Sequence, residues 1–205
     1  MRSGKSVKDG LNLIIKHKAM TRYSAVLDAC VIVPIALADT LLRVAESGLY
    51  RPLWSSRIIA EAMDAILMIY PEMNGEKIFG RFQDMNRTFD DACVEGRQDL
   101  ELIIKLPDDD DRHVVSTAIC GRADVIVTFN LKDYPYDVLE AFNLEVIHPD
   151  YFLLNQLDLA PKNIVEVIRE QASHARHPKL DPVDLLARLA KAGVPHFAQE
   201  VLRLI

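Results

Sequence analysis

From Tyr23 onward, short apolar runs alternate with longer segments in which apolar residues recur every three or four positions. The short runs predict strands at 24–27, 100–105, 124–129 and 144–148, and the longer segments predict helices after Pro34, Ser55 and Asn74, at 109–121 and around 138–142. Pro52, in the extended piece "LYRPLW", disfavours a central strand there. Apolar strands that alternate with helices are typical of a parallel sheet covered on both faces. The pattern therefore predicts a three-layer α/β domain.

The two ends of the chain do not follow this alternation. Residues 1–22 are basic and show no clear core pattern, so we expect a tail there and assign the α/β domain to 23–148. Residues 149–205 contain no strand pattern, and three amphipathic segments separated by prolines and a glycine predict a C-terminal helical extension. Its apolar residues must pack against the domain, against each other or against a partner. We expect truncation after Asp150 to leave a folded core with a newly exposed apolar surface.

Composition and charge narrow the class of protein. Half of the residues are hydrophobic, as in ordinary globular proteins, and no segment resembles a membrane span or a secretory signal, so we expect a cytoplasmic protein. The net charge of −6 divides into +5 for residues 1–22, −13 for 23–159 and +2 for 160–205. The acidic segment 23–159, which we call the acidic body, disfavours simple binding of duplex nucleic acid, because a polyanion approaches it only when cations offset the repulsion. Three widely spaced cysteines without a C-x-x-C pair predict reduced, mostly buried thiols.

Acidic side chains follow several predicted strands. Asp28 comes directly after the first strand, and the run Asp108 to Asp111 follows the predicted strand at 100–105. Because ligand sites in parallel α/β sheets lie beyond the carboxyl ends of the strands, we expect these carboxylates to converge. The same edge should receive the residues after the strand at 124–129, and Glu61 can join from the border of an apolar helix face. The residues after that strand are Thr128, Asn130 and Asp133.

Each of these residues also has an ordinary structural interpretation. Asp28 and one or two of the four consecutive aspartates could cap helices, Glu61 could be a solvated carboxylate, and the residues after 127 could form a turn. An unpaired Asp28 in an otherwise apolar run would nevertheless be costly, and four adjacent aspartates raise the cost of ionising each other. A bound cation would lower both the cost of burying Asp28 and the cost of ionising the adjacent aspartates. Carboxylate oxygens without a convergent His or Cys suit Mg²⁺ or Mn²⁺, and such a site suits phosphoryl chemistry.

Four segments together resemble a known family. They are "YSAVLDACVIVP", "LWSSRIIAEAM", "LPDDDDRHVVSTAI" and "ADVIVTFNLKDYP", and they are similar in order, spacing and flanking residues to the four acidic motifs of PIN-domain ribonucleases, specifically the VapC-like toxins of type II toxin–antitoxin systems. The resemblance covers about residues 23–148. It implies a PIN-like fold, and it has no motif in the helical extension from which a role could be carried over.

The resemblance implies a site and a reaction. The matching acids are Asp28, Glu61, Asp111 and Asp133, which would act as catalytic residues and as ligands of Mg²⁺ or Mn²⁺, with Asp108, Thr128, Asn130 and Arg112 as substrate-contacting or supporting residues. Many relatives have aspartate where this chain has Asn130, which implies that a second metal binds weakly. The implied activity is endonucleolytic cleavage of single-stranded RNA, and the implied partner is an antitoxin. Arg122 and Lys132 are further candidates for RNA contact, and a homodimer stays open.

Two other classes of protein compete with this interpretation. Receiver domains would show paired acids after the first strand and a lysine after the last, and haloacid-dehalogenase phosphatases would show D-x-D, whereas Asp28 is followed by Ala29 and Cys30. A PIN-fold module that binds RNA or protein without cleaving is the non-enzymatic alternative. The presence of all four acids favours the enzyme.

Overall fold

The computed structural model describes residues 23–175 and 179–205 and contains one four-stranded parallel sheet. The predicted tail at 1–22 lies outside the described residues. The strands are β1 (Ser24–Leu27), β2 (Arg51–Leu53), β3 (Val125–Val127) and β4 (Glu145–Ile147), in the order β2-β1-β3-β4. The predicted α/β class with a central parallel sheet is confirmed. Pro52 lies in the edge strand β2, where the missing N–H disrupts the ladder least.

Helices connect and flank the strands. They are α1 (Ala29–Ile32), α2 (Ile35–Glu46), α3 (Ser56–Ile69), α4 (Gly75–Thr88), α5 (Gln98–Glu101), α6 (Arg112–Gly121), α7 (Tyr136–Leu139), α8 (Pro149–Leu159), α9 (Pro161–His174), α10 (Pro182–Lys191) and α11 (Pro195–Leu202). Three-residue 3₁₀ turns lie at Asp109–Asp111, Leu131–Asp133 and Glu140–Phe142. The predicted starts after Pro34, Ser55 and Asn74 are confirmed, and the side chains of Ser55 and Asn74 cap their helices.

The strand predicted at 100–105 is wrong. The segment begins in α5, and its chain then continues without strand pairing to the aspartate run. Ile104 is buried, but Leu102 is 82% exposed and Ile103 also faces solvent. A short apolar run does not distinguish a buried strand from a helix end with surface apolar residues. The four aspartates therefore do not follow a strand; they begin α6, which packs against β1 and β3.

The described residues of the C-terminal extension, 149–175 and 179–205, form four helices, whereas three were predicted. The missed helix is α8, in which Asp150 and Gln156 are buried along with Phe152, so that its pattern is not that of a plain amphipathic helix. Helix α9 packs on α2, where Thr40 Oγ1 donates a buried 2.7 Å hydrogen bond to Gln171 Oε1. The extension and the sheet share one hydrophobic cluster. This continuity argues against our expectation that a chain cut after Asp150 keeps a folded core.

The described part of the chain holds no helix that is both long and apolar enough to cross a membrane. The three cysteines are free, as predicted. Cys93 is exposed, however, and Cys30 and Cys120 are only partly buried, so the expectation of mostly buried thiols is wrong.

Candidate metal centre

Asp28 lies at the carboxyl end of β1 and begins α1. Its buried side chain accepts a 2.6 Å hydrogen bond at Oδ1 from the Ala29 N–H. At Oδ2 it accepts a 2.6 Å hydrogen bond from Thr128 Oγ1. Strand pairing explains this contact, because Leu27 is in register with Val127 and the next residues of the two strands meet. Asp28 thus combines the capping role of the ordinary interpretation with a position at the strand ends.

The turn after β3 supplies the other polar groups predicted at this edge. Thr128 is buried, and its Oγ1 also accepts a 3.0 Å hydrogen bond from the Asn130 N–H. Asn130 is exposed, and its backbone oxygen accepts from the Asp133 N–H at 3.0 Å. Asp133 ends the 3₁₀ turn and is partly buried. Thr128 therefore supports Asp28 directly, whereas Asn130 takes part through its backbone.

Asp111 is the carboxylate on which the others converge. It immediately precedes α6 and is partly buried. Its pKa is raised to about 6. Burial is the largest cause, and the negative charges of Asp28, Asp108, Asp133 and Glu61 follow in decreasing order. Four carboxylates from separate parts of the chain therefore lie within electrostatic reach of Asp111. The cluster opposes its own ionisation, which a cation would reverse.

Glu61 faces this cluster from α3 and has two basic neighbours. Its Oε1 accepts a 3.3 Å hydrogen bond from Arg57 Nε and lies 3.0 Å from His113 Nε2. Burial raises the pKa of Glu61; Arg57 opposes that shift, and Asp28 and Asp110 add to it. Burial, with a smaller effect of Arg57, lowers the pKa of His113 to about 4. His113 is therefore neutral at pH 7, so that its close approach to Glu61 is not a salt bridge there.

The four remaining predicted residues have other contacts or positions. Asp108 is exposed, and its Oδ1 accepts a 2.9 Å hydrogen bond from the Asp110 N–H, which is a turn-capping contact. Arg112 is paired with Asp109 and lines a depression beside α5. Arg122 ends α6 in the left-handed conformation, with φ of 53°. Lys132 is exposed in the 3₁₀ turn after β3.

Sequence reasoning missed three residues that border the cluster. Arg57 and His113 contact Glu61, and the spacing of four between Arg57 and Glu61 on a predicted helix was the signal for the first. Tyr134 is buried, and its hydroxyl has no hydrogen-bond partner among the described residues. Burial raises the Tyr134 pKa, and Asp28 and Asp111 add to the shift, so the ring lies beside the carboxylates. In the sequence, Tyr134 directly follows Asp133, and no pattern distinguishes it from an ordinary core residue.

The donor set fits a hard divalent cation. The converging groups are carboxylate oxygens, and the orphaned Tyr134 hydroxyl is a further oxygen at the same place. Among the described residues, 23–175 and 179–205, no group of three or more His, Cys, Asp or Glu side chains has the geometry to hold a metal ion. Binding would therefore require the carboxylates to move closer together, and Asp28 would keep its hydrogen bonds to Ala29 and Thr128 while using its remaining lone pairs.

A comparison with known families identifies the class of protein to which the chain belongs. The family described as "PIN domain" matches residues 24–132, which is more than half of the chain, and the chain belongs to that family. The resemblance inferred from the four acidic motifs is thereby confirmed. The family described as "VapC50 C-terminal domain" matches residues 149–203, within the helical extension.

A relative from Mycobacterium tuberculosis carries the name "Putative ribonuclease VapC50" and is 43% identical over 94 residues. The match covers 46% of this chain and 55% of the relative, so it spans about half of the relative's length. No solved structure matches the chain.

Proposed function

We propose that the protein is a Mg²⁺- or Mn²⁺-dependent endoribonuclease that cleaves single-stranded RNA. The observation that carries the proposal is the position of four acidic side chains, Asp28, Glu61, Asp111 and Asp133, at or facing the carboxyl edge of the sheet, where burial and the neighbouring carboxylates raise the pKa of Asp111 to about 6. Folding gathers these acids at the carboxyl edge of the sheet although the gathering is unfavourable without a counter-charge. Membership of the PIN-domain family and a relative named as a ribonuclease support the choice of RNA.

The four acids have different positions and are expected to have different roles. Asp28 and Asp111 would hold the cation, since Asp28 is fixed by Thr128 and Asp111 begins the adjacent helix. Glu61 and Asp133 approach from the periphery and would orient water or complete a weaker second site. A bound divalent cation would stabilise charge on the phosphate oxygens and lower the pKa of the attacking water. The neutral His113, whose Nε2 lies 3.0 Å from Glu61 Oε1, would limit the orientations of that carboxylate.

We propose further that the protein acts in the cytoplasm as the toxin of a toxin–antitoxin pair and that a cognate antitoxin covers the acidic edge. The support is the name of the mycobacterial relative and the match of residues 149–203 to the C-terminal domain of the same name. The division into a tail at 1–22, a nuclease domain at 23–148 and an extension at 149–205 belongs to the same proposal. The alternative is a PIN-fold binding module without cleavage.

The full chain tests the proposal directly. Wild type, Asp28→Asn and Asp111→Asn are incubated with labelled single-stranded RNA and single-stranded DNA, in Mg²⁺, in Mn²⁺ and in EDTA. Asp64→Asn is the matched control, because Asp64 is an exposed carboxylate elsewhere on α3. We expect RNA cleavage by wild type and Asp64→Asn only with metal. Loss should be about 100- to 1000-fold or more in the two ligand variants.

Three results would contradict the proposal in different ways. Cleavage that persists in EDTA would rule out the metal mechanism. Undiminished cleavage by Asp28→Asn and Asp111→Asn would show that the site is elsewhere. RNA binding without cleavage in either metal would support the silent module. Expression of wild type and Asp28→Asn in a bacterial host without the antitoxin tests the toxin role, and equal growth with intact RNA in both strains would contradict it.

A further inference from the structure

Four aromatic side chains form a continuous row that starts at the candidate metal centre, and we call this row the aromatic ladder. Its rings are Phe129, His148, Tyr151 and His196. The centroids are 5.1 Å apart for Phe129 and His148, 6.4 Å for His148 and Tyr151, and 6.3 Å for Tyr151 and His196. The first two pairs meet edge to face, and the rings of Tyr151 and His196 are nearly parallel, at 19°.

The inner end of the ladder is part of the site itself. Phe129 lies between Thr128 and Asn130, and its backbone N–H donates a 3.4 Å hydrogen bond to Cys30 Sγ. His148 follows β4, so the ladder runs along the same carboxyl edge that carries Asp28. It then continues onto the first turns of α8 and α11. The helical extension, to which the acidic motifs assign nothing, thus supplies a surface adjoining the carboxylates.

Both outer rings are exposed, and hydrogen bonds hold His196 in place. Tyr151 is 58% exposed, and the His196 side chain is 66% exposed. The buried Asp150 accepts hydrogen bonds at Oδ2 from the His196 N–H, at 3.1 Å, and from His196 Nδ1, at 2.7 Å, and its Oδ1 accepts from the Phe197 N–H at 2.8 Å. Exposed rings fixed in this way lose little conformational entropy when a ligand stacks on them.

A packing role explains the inner rings but not the outer pair. Phe129 is covered from the other side by Gly193, whose φ is +100° and whose Cβ, if it had one, would lie 2.6 Å from Phe129 Cε1. Tyr151 and His196 instead are mostly exposed, and their rings are nearly parallel. The acidic segment 23–159 repels a phosphate backbone, so contacts with uncharged bases would add affinity that the backbone does not provide there. Base stacking on aromatic rings provides such affinity irrespective of base identity.

We propose that the aromatic ladder is a stacking platform for the unpaired bases of single-stranded RNA next to the cleavage site. The inference rests on the proposed function for its choice of nucleic acid. Tyr151 and His196 would stack on bases away from the scissile phosphate, and Phe129 would lead the strand to the carboxylates. Duplex RNA would not bind in this way, because its bases are stacked on each other and paired.

The test measures binding separately from cleavage. Fluorescence anisotropy of labelled RNA in EDTA gives the affinity of the full-length wild type, Tyr151→Ala, Tyr151→Phe and Tyr70→Ala. Tyr70 is the matched control, since it is 43% exposed at the end of α3 and lies outside the ladder. We expect Tyr151→Ala to bind about 5- to 100-fold more weakly, and the other two variants to bind as wild type does.

An RNA series with one abasic nucleotide at successive positions identifies the stacked base. At one position the missing base should weaken binding to wild type and have no further effect on Tyr151→Ala, because ring and base are then two halves of one contact. Equal binding by wild type and Tyr151→Ala would overturn the proposal, and so would a loss of similar size on an RNA duplex. A wild type that binds no single-stranded RNA overturns it as well. Ladder-dependent binding by a protein that does not cleave would support the ladder and refute the proposed nuclease.

Discussion

Thr128 Oγ1 donates a 2.6 Å hydrogen bond to Asp28 Oδ2 and joins the ends of β1 and β3. The same hydroxyl accepts from the Asn130 N–H, so one buried oxygen fixes both a carboxylate and the turn that leads to Asp133. The first and last of the proposed metal ligands are therefore coupled through a single side chain.

We expect Thr128→Val to weaken Mn²⁺ binding about 10- to 100-fold, because supporting partners of a metal ligand typically have effects of that size. It should also lower the free energy of unfolding by about 1 to 3 kcal/mol, since Asp28 loses a buried donor. Thr128→Ser keeps the hydroxyl and is the control. Calorimetry and thermal unfolding measure both effects, and wild-type Mn²⁺ affinity in Thr128→Val would show that the contact is only structural.

A second prediction concerns pH and Asp111, whose pKa is raised to about 6 in the folded state. The ordinary value is about 3.9. The folded state thus favours the protonated acid, and wild type loses stability as the pH rises from about 4 to about 6. In metal-free buffer, Asp111→Asn should match wild type near pH 4 and exceed it at pH 7. Two pKa units correspond to about 3 kcal/mol, and solvent screening of this partly exposed group reduces the gain to about 1 kcal/mol.

Thermal unfolding at the two pH values measures that difference, and Asp64→Asn is the control without a pH-dependent gain. Addition of Mn²⁺ should raise the melting temperature of wild type more than that of Asp111→Asn, because only wild type keeps the full ligand set. A wild type that is more stable than Asp111→Asn at pH 7 without metal would contradict the self-repelling cluster.

The pKa of His113 is lowered to about 4. Nuclear magnetic resonance of the imidazole nitrogens should show a neutral ring, protonated at Nε2, down to about pH 5. Since the unfolded value is about 6.5, this residue makes the folded state lose stability as the pH falls from about 6.5 towards 4, opposite to Asp111. A ring that titrates near 6.5 or above would mean that His113 and Glu61 form a charged pair. In that case His113 would not be the neutral neighbour of Glu61 described above.

Gly193→Ala should destabilise the fold by about 1 to 2 kcal/mol, because the left-handed backbone disfavours a Cβ and that atom would meet Phe129. Gly80→Ala is the control, since Gly80 lies within α4 with open space around its missing Cβ. It should stabilise the helix by about 0.5 to 1 kcal/mol. Denaturant unfolding distinguishes the two signs. Equal effects would mean that the approach of Gly193 to Phe129 is not a constraint.

Truncation after Asp150 should abolish cooperative unfolding. Among the fully buried side chains of the shared core that it removes are Phe152, Leu153, Ile164, Ile168 and Phe197. Each stabilises the fold by about 1.5 to 3 kcal/mol, so together they rival the whole stability of a typical domain. Circular dichroism on heating measures the transition, and a sharp melt of the truncated chain would restore the expectation drawn from the sequence.

Periodicity predicted those elements in which the buried face and the local pattern agree. Strand β1 and helices α2 and α3 are of this kind. Gly48, with a positive φ, follows the end of α2, and Ser55 caps the start of α3. The strand at 100–105 failed because Leu102 and Ile103 are exposed apolar residues, which no local rule distinguishes from buried ones. Helix α8 was missed because two of its polar residues, Asp150 and Gln156, are buried, and the partners of Asp150 lie far away in sequence, in α11.

The sequence predicted those residues of the candidate site that carry charge in an otherwise apolar segment or in a run of like charges. Asp28 is conspicuous because it lies in an apolar run. The four consecutive aspartates are conspicuous because of their number, and Asp111 among them is the one whose pKa the other carboxylates raise. His113 and Tyr134 look like core residues in the sequence, and only the tertiary structure places them beside acids. The aromatic ladder joins residues up to 67 positions apart, so no local pattern could indicate it.

The hydrogen bond between Thr40 and Gln171 spans 131 residues of chain, and its timing follows from the rate of protein synthesis. A ribosome that adds about 5 to 20 residues per second needs roughly 7 to 26 s to travel that distance. Helix α2 emerges first and waits for α9 throughout this interval, with the apolar face that α9 will cover open to solvent. The speed of translation therefore sets how long the nascent chain exposes a surface that attracts chaperones.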